Sequence, residues 1–192
     1  MSESKAEGGG IHLPRHPVSF EATLDTLLPD ARKLVRTITA SATDSFAEDG
    51  KLFPNAFTVD PTGRINVIMV DQLDDQTKPQ VWAMVASLRE HMPIVAFISE
   101  VWMAGCKPAD MNPDGSVKVM PRDRPDRIEQ ARIVLWQGPR YVAFLAEIKR
   151  QPNQLSEWRV MMDSDFPVMR KGEPDRLGGA MMKGGHYPLD QS

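Results

Sequence analysis

The run from Pro93 to Gly105, PIVAFISEVWMAG, constrains the fold more than any other stretch of the chain. In an extended strand alternate residues share a face. Ile94, Ala96, Ile98, Glu100 and Trp102 therefore point one way, and Val95, Phe97, Ser99, Val101 and Met103 point the other. Both sets are apolar, so the segment reads as a central, well-covered strand with one carboxylate, Glu100, inside it. The run is too short to cross a bilayer and is interrupted by that charge, so no membrane association is expected.

A chain of 192 residues fits one domain with tails, and it can bury a sizeable core without disulfide staples. Its 41 % hydrophobic and 26 % charged content is ordinary globular usage. The net charge of −3 argues against general nucleic-acid binding, which calls for a basic excess or stripe. The single cysteine, Cys106, cannot form an internal disulfide or a multi-cysteine zinc site, and a free thiol suits a reducing compartment. The N-terminal MSESKAEGGG lacks the basic and apolar regions of a secretory signal, so a cytoplasmic location is expected. The twelve methionines are read as adaptable core packing.

Residues 1–17 are rich in Gly, Pro and charge and are expected to form a flexible arm. Leu24, Leu27, Leu28, Leu34, Val35 and Ile38 recur at helical spacing, with a break at Pro29 and Asp30 capping the second helix. Residues 57–71 read as a hairpin around DPTG. Thr77 is placed to cap a helix through KPQVWAMVASLREHM, whose Val81, Trp82, Val85 and Leu88 share a face and which Pro93 ends. After the 94–104 strand comes a long Pro- and Asp-rich connection, 105–126. RIEQARIVLW and RYVAFLAEIKR then flank QGP as the clearest hairpin of the chain, and LSEWRVM (155–161) reads as a further strand. Apolar periodicity stops at Pro167, and 167–192 reads as a tail. The expected fold is α+β. It is a single domain over 18–166 with a mainly antiparallel sheet, two or three helices packed on one face, and flexible tails at both ends.

Metal and cofactor signals are weak. DMNPDG (110–115) begins like a calcium loop, but its twelfth position is Pro121 where a bidentate Glu belongs, so a simple Asx and Pro-Asp-Gly turn explains it with less. His12 and His16 need a helix to converge, and Pro14 opposes one. His91 sits at a helix end, where positive charge is favourable, and His186 lies in the tail. GGG at 8–10 and the later Gly pairs lack the strand-loop-helix context of a phosphate loop, and Ser99 lacks a G-x-S-x-G frame. No metal and no cofactor are expected.

The one polar cluster worth pursuing surrounds Glu100. Pairing the 94–104 and 127–136 strands antiparallel, in near-symmetric register, puts Glu129 opposite Trp102 and diagonal to Glu100. Diagonal neighbours lie about 7–8 Å apart. PRDRPDR (121–127) then adds Arg122, Asp123, Arg124, Asp126 and Arg127 beside that end of the sheet. In one reading Glu100 and Glu129, with Asp126, bind a divalent cation or share a proton, as in a metal-dependent hydrolase. In the other, an arginine, Arg127 first among them, folds over the carboxylates and pins the connection to the sheet. The structural reading is favoured, because ion-pair networks perturb ionisable groups as sites do and no histidine or serine adjoins the cluster. Trp82 and Trp102 both lie on apolar periodic faces and are expected in the core.

These elements resemble a family of small bacterial and phage proteins of no assigned activity. That family carries an S-E-A-W element followed by a P-D/N-R-x-E element. Here they are Ser99, Glu100, Val101 and Trp102, with Val in place of Ala, and Pro125, Asp126, Arg127, Ile128 and Glu129. The resemblance spans about residues 52–162. It implies that Glu100, Trp102, Arg127 and Glu129 form one constellation. The resulting expectation is a non-catalytic accessory protein, associated with a phage or mobile element. It would bind a protein partner or form a homo-oligomer; flexible tails that order on binding are a common device for this.

Overall fold

The computed structural model describes residues 19–105, 108–110, 112 and 118–165. Helices α1 (Phe20–Asp25) and α2 (Pro29–Asp49) precede the hairpin β1 (Asn55–Val59) and β2 (Ile65–Met69). Helix α3 (Lys78–His91), β3 (Ile94–Met103), β4 (Ile128–Gln137) and β5 (Arg140–Arg150) follow, then β6 (Asn153–Leu155) and β7 (Arg159–Asp165). The domain is α+β with a curled antiparallel sheet in the order β2-β1-β3-β4-β5, and β6 and β7 each pair with β5. The strand expected at 155–161 is thus divided: residues 156–158 carry no strand pairing, and β6 and β7 take different parts of β5. Among the described residues no helix is long and apolar enough to cross a membrane. The arm at 1–17, the tail at 167–192, His12, His16, Cys106, His186 and most of DMNPDG lie outside the described residues.

The sheet divides the core in two. Ile94, Ala96 and Ile98 of β3 pack with Leu34, Val35, Ile38 and Phe46 of α2 and with Leu24 of α1. Val95 and Phe97 pack on the other face with Val81, Trp82 and Val85 of α3. Helices therefore cover both faces, where packing on one face was expected. The cause is the double-sided apolar pattern of β3: leaving Val95 and Phe97 open to water forfeits the stabilisation of their burial. On the α3 side Trp82 packs 5.4 Å from the Phe97 ring and 6.4 Å from Trp136.

Local chemistry explains the element ends. Ser19 caps α1 by accepting the Ala22 N–H at 3.0 Å. Pro29 stands in the first turn of α2, where its fixed φ and missing N–H cost nothing. The cap residue is Leu28, whose N–H bonds Gln137 Oε1 at 2.9 Å, so Asp30 lies in the first turn and does not cap. Thr77 holds the cap position of α3 without a side-chain cap bond. Asp74 accepts its N–H at 2.8 Å instead. Gly50 ends α2 at φ 64°, in the left-handed region, and donates to Phe46 O. A Cβ there would lie 2.7 Å from Asn153 Nδ2. Gly50→Ala is accordingly expected to cost about 1–2 kcal/mol through left-handed backbone strain at the helix end, with more from the Asn153 contact. Urea denaturation of the full chain measures this, and an unchanged midpoint would show that the turn relaxes freely.

Candidate functional site at one end of the central strands

The β3–β4 register sets Trp102 opposite Glu129 and Glu100 opposite Ala131. Glu100 and Glu129 are therefore diagonal neighbours, as the near-symmetric register predicts. The β4–β5 register carries the pattern onward. Ala146 and Ile148 share the α2 side of the core with Ala131, so Arg150, two residues on, arrives on the same face at the same end.

Arg150 organises the cluster. Its Nε donates to Glu129 Oε2 at 3.0 Å and its Nη2 to Glu129 Oε1, the fork-on-carboxylate arrangement that a guanidinium suits. Nη2 also reaches Glu100 Oε2 at 3.2 Å, and Nη1 donates to the carbonyl of Gly50. The guanidinium lies 5.3 Å from the Phe46 ring centroid. The remaining Glu100 oxygen accepts the Leu52 N–H at 2.9 Å. The hydrogen bonds to Glu129 first, and the nearby charges of Glu129 and Glu100, hold the Arg150 pKa above its ordinary value. One cation thus joins β3, β4 and β5 to the end of α2. It also sits at that helix's C-terminal carbonyls, where positive charge is stabilising.

The other expected members lie elsewhere. Asp126 is bonded by Arg124 through Nε at 2.8 Å and Nη2 at 2.9 Å, and Arg124 Nη1 also reaches Asp110 at 3.0 Å. Asp126 therefore does not converge with the glutamates. Its pKa is lowered, chiefly by the Arg124 hydrogen bond. Arg127 does not pair with Glu100. Its guanidinium lies 4.7 Å over the Trp102 ring and donates to Arg122 O. Arg150 takes the glutamates because it comes from the adjoining strand on their own face, whereas Arg127 precedes β4 at the sheet's margin. Trp102 is 41 % exposed, so its assignment to the core is wrong. It stands near the end of β3, beyond the apolar positions that pack against α2.

The PRDRPDR segment is nevertheless tied down. Arg122 bonds Asp75, just before α3, at 2.8 Å, and Lys78 bonds the same carboxylate at 2.9 Å. These bonds, Lys78 first, lower the Asp75 pKa from 3.8 to about 2. With the folded value depressed, the contribution of Asp75 to stability is present above pH 3.8 and is lost as pH falls through about 2. Carboxyl NMR titration is expected to place its midpoint near 2, and Lys78→Ala to raise it. A wild-type midpoint at the ordinary 3.8 would refute the pairing.

Each oxygen of Glu100 and Glu129 accepts a hydrogen bond, three of them from Arg150, so a cation would have to compete with the guanidinium charge already seated between the two carboxylates. Among the described residues no group of three or more His, Cys, Asp or Glu side chains is placed to hold a metal ion. Sequence reasoning missed Arg150, Gly50 and Leu52. For Arg150 the signal was present: extending the QGP hairpin register beyond Gln137 and Arg140 leads to it. No family model, no curated protein and no solved structure matches the chain.

Proposed function

We propose that the protein is a non-catalytic accessory module that acts in the cytoplasm by pairing the open edge of its sheet with another polypeptide strand. The observation that carries this reading is β2. Among the described residues it is the outermost strand, and in the β1–β2 hairpin Val70 donates to Pro54 O and Asp60 to Arg64 O. Bonding alternates along an antiparallel strand. The even-numbered residues of β2 therefore face β1, and the N–H and C=O groups of Ile65, Val67 and Met69 face outward. Val67 and Met69 are 57 % and 77 % exposed. Soluble proteins usually blunt such an edge with Lys, Pro, a bulge or a covering loop. INVIM contains no Lys or Pro, and its register with β1 is unbroken.

The Arg150-bridged carboxylate cluster supports the same reading, because its geometry serves to hold α2 on the sheet. The alternative, a metal-dependent hydrolase at Glu100, Glu129 and Asp126, has both Arg150 and the Arg124–Asp126 pair against it. An accessory role in a phage or mobile element, implied by the resemblance, accords with a binding module. The test uses the tagged full chain as bait, with a differently tagged copy of itself among the candidates. Val67→Pro removes only an outward N–H and is tolerated on an edge. The wild type is expected to retain at least one polypeptide that Val67→Pro releases. If both forms retain the same set, or none, the edge-pairing function is wrong.

A further inference from the structure

We infer that the strand received by the β2 edge is β2 of a second copy of this chain, running antiparallel with Val67 on the two-fold axis. The inference rests on the edge-pairing function above and names its partner.

Three features make β2 complementary to itself. The first is hydrogen-bond parity. A two-fold axis through an antiparallel pair runs perpendicular to the sheet, so residues of equal parity face each other. The outward groups of β2 belong to Ile65, Val67 and Met69, all odd. Centring the pair on Val67 sets Val67 against the partner's Val67 and Ile65 against the partner's Met69. Each is then a pair that exchanges both backbone bonds.

The second feature is side-chain match. Directly opposed residues share a face, so Ile65, Val67 and Met69 meet apolar counterparts, and aliphatic cross-strand contacts stabilise a sheet. Ile65, Val67 and Met69 lie on the α2 side of the sheet, as does Phe57, which is opposite Val67 on β1. Pairing would therefore extend an existing apolar surface and cover the two exposed side chains, Val67 and Met69.

The third feature is charge. From Ile65 to Val70 the chain has no ionisable residue, and Arg64 and Asp71 flank it. In the Val67-centred register Arg64 falls opposite the partner's Val70, one residue from the partner's Asp71. Opposite charges approach at both ends, and no like charges oppose each other along the ladder. Closed two-fold pairing also uses up the edge, which prevents open-ended addition of further strands.

The test is mass and cross-linking of the full chain with Cys106→Ser as background. Light scattering is expected to give twice the 21.5 kDa chain mass. Val67→Pro and Val67→Lys are expected to return it to the single-chain mass with unchanged circular dichroism. The Cα atoms of a hydrogen-bonded antiparallel pair lie about 5.5 Å apart, within disulfide reach. Val67→Cys is therefore expected to form an inter-chain disulfide on mild oxidation and Ile65→Cys is not, while mixing Ile65→Cys with Met69→Cys restores the cross-link. A single-chain mass at every concentration would overturn the second-copy inference. Edge pairing would then survive only if Val67→Pro also releases a different captured polypeptide. A dimer that both Val67 variants leave intact, without the Val67→Cys cross-link, would place the interface elsewhere and overturn the inference directly.

Discussion

Trp82→Ala is expected to lower stability by about 3–5 kcal/mol, the usual loss for removing a buried large aromatic. Trp82 is 8 % exposed and stands between α3 and the sheet, against Phe97 and Trp136. Its removal leaves a void that neither strand can close, since β3 and β4 are held on both sides by neighbouring strands. For a domain of this size the loss corresponds to a fall in melting temperature of roughly 10 °C. Trp102→Ala is expected to cost only about 1 kcal/mol, because its ring is partly in water and its main loss is the Arg127 stack. Equal losses from the two substitutions in urea denaturation would contradict the assignment of one tryptophan to the core and the other to the surface.

Arg150→Met is expected to lower stability by about 2–3 kcal/mol. Breaking a fully buried ion pair typically costs about 3–5 kcal/mol, because the remaining charge is stranded. The side chain of Glu129 is largely buried, but Arg150 is partly exposed, so water compensates some of the loss. Glu100 keeps its Leu52 donor, which leaves Glu129 as the group most affected. Combining Arg150→Met with Glu129→Gln removes the stranded charge. The double variant is expected to be more stable than the sum of the single losses predicts, by about 1–2 kcal/mol. Arg127→Ala should cost no more than about 1 kcal/mol, since it removes a surface stack. If Arg127→Ala proves the more damaging variant and Arg150→Met melts like the wild type, Arg127 holds the cluster after all.

The amino-acid sequence by itself determined the α+β character, the β3–β4 pairing and the position of Glu129 relative to Glu100. It could do so because these follow from local rules. Strand parity, turn chemistry at DPTG and QGP, and helical spacing in α2 and α3 act within a few residues of each other. The β3–β4 register was legible only by pairing the strands symmetrically about the long connection, because both faces of β3 are apolar and burial alone does not select a register.

Only the tertiary structure decided which cation meets the carboxylates, which tryptophan is buried, and that α3 crosses to the opposite face from α2. Each depends on distance in space between segments far apart in the chain. Arg150 lies 50 residues from Glu100 along the chain but on the same face and end of the sheet, whereas Arg127 is nearer in the chain and lies at the sheet's margin. Trp102 obeys the same alternation as Ile98, yet apolar alternation does not reveal how far along β3 the covering helix extends. Burial is fixed by what packs over a residue. A single strand's pattern states which way a side chain points and leaves open what it meets there.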